Sequence, residues 1–156
     1  MEFEECMEKG DQYRKEKDYE KALEFYQKAL EVDSRIPEAW TMKGSTLGLL
    51  NRIDEAIEAF DKSLELDMEI EKTWLMKGMA LFSVERFNEA DTCFDRAINL
   101  NSKNYVYWKY KGMVLSQLNR NTDALQCLDN ALELNPEEDS VLVFRHTVIQ
   151  KLEEEQ

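Results

Sequence analysis

The sequence predicts an all-α protein made of helical hairpins arranged in series. One observation is a fixed period, because glycine recurs every 34 residues, at Gly10, Gly44, Gly78 and Gly112. A second is that apolar residues recur at helical spacing in two segments of each period. Only five Gly and two Pro occur in 156 residues, which leaves little room for β-hairpins or long loops. Self-similarity at this period is typical of arrays in which each repeat packs on its neighbours, so we predict an α-solenoid of about nine helices.

The first helix of each repeat is marked by a large apolar residue four positions before the glycine. In three repeats this residue is tryptophan, at Trp40, Trp74 and Trp108. In the second repeat the helix is expected over roughly 37–50, with Pro37 in the first turn, where a missing N–H is harmless. We expect the tryptophans to fill the space between neighbouring hairpins.

The second helix of each repeat carries small and bulky residues in a fixed order. Alanine follows the glycine by 12 residues, and a bulky apolar residue follows that alanine by four. In the second repeat these residues are Gly44, Ala56 and Phe60, and the helix is expected over roughly 53–66. We predict that Gly44 and Ala56 meet where the two helices cross. A larger side chain at Gly44 would then cost about 1–3 kcal/mol through overpacking.

A last helix is predicted over about 139–154, in phase with the first helices of the repeats. Leu142 holds the tryptophan position and His146 the glycine position. Because no second helix follows in the sequence, the need for glycine disappears. We therefore expect a capping helix with His146 on its surface.

This pattern resembles the tetratricopeptide repeat (TPR) family over nearly the whole chain. The resemblance implies a right-handed superhelical α-solenoid of antiparallel helix hairpins, forming a single domain over 1–156. It also implies a protein–protein interaction module or adaptor that binds a peptide or helix in a concave groove lined by the first helices. The implied repeats lie at about 3–36, 37–70, 71–104 and 105–138, with the capping helix at about 139–154.

The resemblance assigns groove positions to the first helices and to the capping helix. Methionine and aromatic side chains predominate there in the later half of the chain, and such side chains adapt to irregular apolar partners. The alternative for the methionines is ordinary packing between helices. The residues expected to line the peptide-binding groove are Met42, Leu75, Met76, Met79, Phe82, Lys109, Tyr110, Met113, Val143 and Phe144.

Charge is distributed unevenly along the chain, whose net charge is −13. Residues 1–70 carry a net −9 and residues 137–156 a net −4, whereas residues 71–136 are neutral. The acidic balance argues against nucleic acid as a partner. We predict a protein or peptide partner that is apolar and carries some basic residues.

One branch of the family grips the acidic tails of chaperones through a clamp of Lys, Asn and Arg side chains. The matching positions here are Met7, Asp11, Met42, Lys72 and Met76, and only Lys72 fits. Binding of such tails is therefore disfavoured.

The residue inventory favours no catalytic reaction, no metal and no cofactor. A single histidine, His146, gives no base beside a nucleophile, and no zinc-ligand spacing or phosphate-binding glycine loop occurs. No apolar run approaches the roughly 20 residues that cross a bilayer, so no membrane partner is expected. Three cysteines without close spacing suggest free thiols and a cytoplasmic location.

Two alternatives remain open. Lysine precedes each repeat glycine, at Lys9, Lys43, Lys77 and Lys111. Each stem could pack along a seam with its ammonium in water, or the four could display a row of cations to a ligand. The alternative function is a self-assembling scaffold, a homo-oligomer formed through the apolar cap and groove.

Overall fold

The computed structural model describes residues 1–155, and it forms nine α-helices without a strand in that range. Four hairpins are each built from a helix of 13 residues and a helix of 14, and a ninth helix follows. The predicted all-α fold of helical hairpins is confirmed. The helices are α1 (Phe3–Lys15), α2 (Tyr19–Val32), α3 (Pro37–Leu49), α4 (Ile53–Leu66), α5 (Glu71–Ser83), α6 (Phe87–Leu100), α7 (Tyr105–Gln117), α8 (Asn121–Leu134) and α9 (Asp139–Glu154).

The chain divides into two compact units, which are described separately. Unit 1 spans Met1–Ala80, and unit 2 begins at Leu81. The division falls inside α5, the first helix of the third repeat. The single domain expected from the repeats stays a prediction.

The turn inside each hairpin places one non-glycine residue in the left-handed region. These residues are Lys17, Asn51, Glu85 and Asn119, with φ between 57° and 62°. The amide of the next residue then donates to a carbonyl five residues back, as from Arg52 to Leu47 at 2.9 Å. This Schellman-type arrangement satisfies carbonyls that the helix end leaves free and starts the second helix at once.

The two helices of a hairpin cross so closely that a Cβ atom has no room at the repeat glycine. In unit 1, a Cβ on Gly44 would lie 2.7 Å from the Phe60 ring and 3.1 Å from the Ala56 carbonyl oxygen. In unit 2, a Cβ on Gly112 would lie 2.9 Å from Leu128. The predicted contact between Gly44 and Ala56 is confirmed, and the bulky residue four positions after the alanine fills the crossing.

The tryptophan of each later repeat joins its helix to the loop before it. The indole N–H groups of Trp40 and Trp74 donate to carbonyl oxygens six residues earlier, both at 2.8 Å, and Trp108 makes the same bond at 2.9 Å. Trp40 packs against the core of unit 1, and Trp108 packs against the core of unit 2. The ring thus fixes the loop between hairpins while it covers apolar side chains.

We predict that Gly44→Ala destabilises the protein by about 1–3 kcal/mol, because the added methyl group meets the Phe60 ring and the α4 backbone. Gly48→Ala is the matched control on the same helix, since nothing lies within 4 Å of a Cβ there. Alanine should leave stability unchanged or raise it by up to about 1 kcal/mol through helix propensity. Urea unfolding followed by circular dichroism measures both variants. Equal effects of the two substitutions would show that the crossing is looser than described.

Candidate functional site

A cavity of about 590 Å³ lies between α7 and α9 in unit 2. Its floor is apolar, formed by Tyr110 and Met113 of α7 and by Val143 and Phe144 of α9. Polar and charged groups stand around that floor. They are Lys109, Asp139, Ser140 and Thr147.

The floor is held in place by the core beneath it. Tyr110 stacks on Phe94, with ring centroids 5.6 Å apart and planes 16° from parallel. Phe144 packs against the core cluster formed by α7, α8 and α9. Val143 has no such support and is 68% exposed. The cavity therefore combines fixed aromatic rings with an aliphatic group that a ligand would cover.

The rim is a chain of hydrogen bonds that joins α7 to the start of α9. The Lys109 ammonium donates to the Ser140 hydroxyl oxygen at 2.8 Å, and the Ser140 hydroxyl donates to Glu138 at 2.6 Å. The Tyr105 hydroxyl donates to the other oxygen of Glu138 at 3.1 Å. The bonds from Ser140 and then Tyr105 lower the pKa of the Glu138 carboxyl, which keeps this end of the rim anionic.

The structure brings together five of the ten residues predicted for the groove: Lys109, Tyr110, Met113, Val143 and Phe144. Met42 lies instead beside a separate cavity of about 390 Å³ in unit 1, which Leu49 also lines. Met76 packs against the unit 1 core, as the alternative of ordinary packing between helices anticipated.

The other three predicted residues lie on α5. Leu75 is half-buried, and Met79 is 40% exposed. Phe82 contacts Phe87 edge to face, with centroids 5.4 Å apart. A role for these three in binding stays a prediction.

The cavity in unit 1 has a mixed lining of charged and apolar side chains, whereas the lining of the cavity in unit 2 is largely apolar. Arg14 donates to Ser45 at 3.0 Å, and the Tyr26 hydroxyl donates to Asp11 at 2.6 Å. Burial first, and then the bond to Asp11, raise the pKa of Tyr26, so this phenol stays protonated. Asp11 and Arg14 line the cavity together with Lys15, Tyr19, Met42 and Leu49.

Three residues that line the unit 2 cavity were not among the ten predicted: Asp139, Ser140 and Thr147. Ser140 lies two periods of 34 residues after Lys72, one of the clamp positions, so the period alone could have found it. Asp139 is the first residue of α9, and the equivalent residues of the earlier repeats were not predicted to line the groove.

Two of the four repeated lysines, Lys77 and Lys111, are paired with aspartates from the second helix of the preceding hairpin. Lys77 lies 2.5 Å from Asp61 in unit 1, and Lys111 contacts Asp91 at 3.2 Å and also Asp95 in unit 2. The Lys111 side chain is only 16% exposed. Burial alone would lower the pKa of Lys111, but the bond to Asp95 and the two carboxylate charges outweigh it and raise that pKa. The lysine stem packs as expected, but carboxylates rather than water receive these two ammonium groups.

We predict that Lys111→Met destabilises the protein by about 1–3 kcal/mol at pH 7, because Asp91 loses its counter-ion. Lys43→Met is the control, because Lys43 lacks the matching aspartate. The residue 16 positions before Lys43 is Gln27, whereas the residue 16 positions before Lys111 is Asp95. The effect of Lys43→Met should be smaller. Because the folded-state pKa of Lys111 is raised, its contribution is complete below the ordinary lysine pKa of about 10.4 and is lost as the pH rises further. Denaturant unfolding at pH 7 and above about pH 11 measures both variants, and equal losses of stability for Lys111→Met and Lys43→Met at pH 7 would contradict the prediction.

All three cysteines are free and buried. Burial raises the pKa of the Cys127 thiol to about 11, and the nearby Lys111 only partly offsets this. Within residues 1–155, no group of His, Cys, Asp and Glu side chains is arranged to hold a metal ion.

We predict that the native protein is nearly inert to a thiol reagent at pH 8, because all three thiols are buried and burial also raises the pKa of the Cys127 thiol, whose thiolate is the reactive form. When the same protein is unfolded without reductant, the reagent should detect three free thiols. A count of one would show a disulfide, and fast reaction of the native protein would show that at least one of the three thiols is accessible.

Helical hairpins with this crossing, followed by a ninth helix in the same phase, define a tetratricopeptide-repeat protein with the α-solenoid fold. A family model described as the middle TPR-like domain of cilia and flagella-associated protein 70 matches residues 7–135. The chain belongs to that family. No curated protein sequence matches it.

Solved structures of TPR proteins are similar to the chain. YrrB, described as a TPR protein with an unusual peptide-binding site, is 25% identical with a TM-score of 0.83, over 95% of this chain and 76% of that one. MamA from Desulfovibrio magneticus RS-1 is 16% identical with a TM-score of 0.93, over 97% and 85%. The first TPR of Spaghetti (RPAP3), bound to an HSP90 peptide, is 22% identical with a TM-score of 0.74, over 75% and 93%.

The family identifies the chain as a protein-interaction module. In the described part of the chain, no helix is both long and apolar enough to cross a bilayer.

Proposed function

We propose that the chain is an adaptor that binds a peptide or helical segment of another protein in a groove along its first helices, centred on the cavity between α7 and α9. The observation that carries this proposal is the cavity lining, which is mostly apolar and includes Tyr110, Met113, Val143 and Phe144. Sites for small ligands and peptides are typically of this kind, apolar with a few polar groups that orient the ligand. Met42, Leu75, Met76, Met79 and Phe82, on α3 and α5, are proposed as further contacts of the partner.

The ligand proposed is an apolar segment that carries some basic residues. Its apolar side chains would cover Val143 and Met113, while a basic side chain would meet Asp139 in the cavity lining or the carboxylate of Glu138, which accepts from Ser140 of that lining. The carboxyl of Glu138 is kept ionised by its hydrogen bonds, which suits this contact. Affinity on the order of micromolar is expected, about −8 kcal/mol. Added salt should weaken binding only in part, because screening acts on the rim and not on apolar burial.

The adaptor proposed here performs no catalysis and uses no cofactor, nucleic acid or membrane. A cytoplasmic location is part of the proposal, and the three buried free thiols support a reducing compartment.

Self-assembly into a homo-oligomer is the second candidate. It is favoured by the exposed aliphatic side chains of Val143 and Leu142, which a second copy would bury. Light scattering over a concentration series separates the two candidates, because an adaptor would keep a constant mass.

We predict that Met113→Glu combined with Val143→Glu abolishes partner binding, since both charges would lie in the apolar floor. Met68→Glu is the control, because Met68 is 66% exposed, as Val143 is at 68%, but lies in the loop after α4. The three proteins would be used as baits in the native lysate, with quantitative mass spectrometry of the captured proteins. Partners held by the wild type and by Met68→Glu should be lost from the double variant. If the double variant melts normally and recovers the same partners, the groove proposal is wrong.

A further inference from the structure

An ion pair recurs where one repeat follows another. Among the described residues, three cations that hold the position before the repeat glycine, or the equivalent position on α9, bind an aspartate on the preceding helix. In each pair the aspartate comes 16 residues before the cation. The period therefore places a carboxylate beside a cation at three successive junctions between a second helix and the first helix that follows it. The pairs are Asp61 with Lys77, Asp95 with Lys111 and Asp129 with Arg145.

The first junction, between α2 and α3, lacks this pair. Lys43 holds the position of the cation, but the residue 16 positions earlier is Gln27. Within residues 1–155, no carboxylate lies within 4 Å of the Lys43 ammonium group. That group lies instead 5.3 Å from the centre of the Trp40 ring. Because α2 and α3 pack against each other inside unit 1, the junction is complete apart from the missing carboxylate.

A cavity of about 250 Å³ lies beside Lys43. The Lys43 ammonium, the Gln27 amide and the Ser34 hydroxyl are hydrogen-bond donors in its lining, and Leu30 and Trp40 supply apolar surface. The indole N–H of Trp40 is already used, since it donates to the Ser34 carbonyl oxygen at 2.8 Å. None of the lining residues is among the ten predicted for the groove. They are Gln27, Leu30, Glu31, Ser34, Trp40 and Lys43.

The carboxylates around Lys43 do not take the place of the missing aspartate. Glu31 lines the same cavity, and Glu55 and Glu58 line a neighbouring cavity that Lys43 shares. Arg52 holds Glu55 through two N–H groups, at 2.6 and 2.7 Å, and this pairing first of all lowers the pKa of Glu55. Glu31 and Glu58 are exposed to solvent. Three acids at this distance would repel a ligand with several negative charges, so the cavity favours a single carboxylate with apolar neighbours.

We propose that the cavity at Lys43 binds one acidic side chain of a partner protein, in the place that the aspartates hold at the other three junctions. The carboxylate would accept charge-assisted hydrogen bonds from the half-buried Lys43 and a further bond from the Gln27 amide. An apolar residue next to it in the partner would cover Leu30 and the Trp40 ring. A run of acids is excluded, because residues 1–70 carry a net charge of −9.

Nuclear magnetic resonance of the intact, isotope-labelled protein tests this with two tripeptides. Both are blocked at their ends, and they read Leu-Asp-Leu and Leu-Asn-Leu, so they differ only in the carboxylate. The aspartate peptide should shift the indole N–H signal of Trp40 with about fivefold tighter binding than the asparagine peptide, and added salt should narrow the difference. Trp74 and Trp108 are internal controls, since the lysines of their helices already bind aspartates. Sodium acetate at the same concentration tests for a free carboxylate as the ligand.

Substitutions 16 positions before the lysines locate the binding. Gln27→Asp should supply the missing carboxylate, so the melting temperature should rise and Trp40 should no longer respond to the aspartate peptide. Gln27→Asn is the matched control, because it has the size of aspartate without the charge, and the response should remain. In the converse experiment, Asp61→Gln should release Lys77 and make Trp74 respond as well. Melting curves check that each variant is folded.

Five results would overturn the proposal: equal binding of the two peptides, equal binding of acetate, equal shifts of the three indole signals in the wild type, an unchanged response in Gln27→Asp, or no shift with either peptide. None of these results bears on the groove proposal, because Gln27 and Lys43 lie outside the lining of the cavity between α7 and α9.

Discussion

The close crossing of two helices at the repeat glycine is the constraint on which the rest of the structure depends. Because Gly44 and Gly112 have no Cβ, the Phe60 ring and the Leu128 side chain lie directly on the backbone of the facing helix. That contact fixes the rotation of each first helix about its axis. Once the rotation is fixed, the residues that follow at helical spacing point to the same side in each repeat. The positions of the proposed groove residues thus follow from the close packing at the glycine.

Much of the fold could be predicted because the sequence pattern repeats every 34 residues. The helix bounds in the second repeat, the contact between Gly44 and Ala56, and the helix over 139–154 all follow from counting 34 residues. Local signals alone would have done less well, since the hairpin turns place Lys17 and Glu85 in the left-handed region, where glycine is the usual choice. The turns form because packing of the flanking helices outweighs the preference of those two residues.

The candidate site could be predicted only in part. Tyr110, Met113, Val143 and Phe144 share one cavity because α7 and α9 carry the same phase. The partner of Lys111 could not be read from the sequence, since Asp95 lies 16 residues away on another helix and no local spacing marks the pair. Met76 shows a second limit. A methionine beside a groove serves equally well in a core, and only the packing of α3 and α4 decides that it contacts the core.

The central claim is that a partner segment lies in the cavity between α7 and α9, and photo-crosslinking tests it most directly. A photoreactive amino acid would be placed at Thr147, which is exposed and lines the cavity, and in a second protein at Gln150, which is exposed on α9 outside the cavity lining. After irradiation in the native lysate, crosslinks from Thr147 should map to an apolar segment of one partner and should compete with an excess of unlabelled wild type. Crosslinks from Gln150 to that segment should be weak. Equal yields from the two positions, or no specific crosslink from Thr147, would contradict the account.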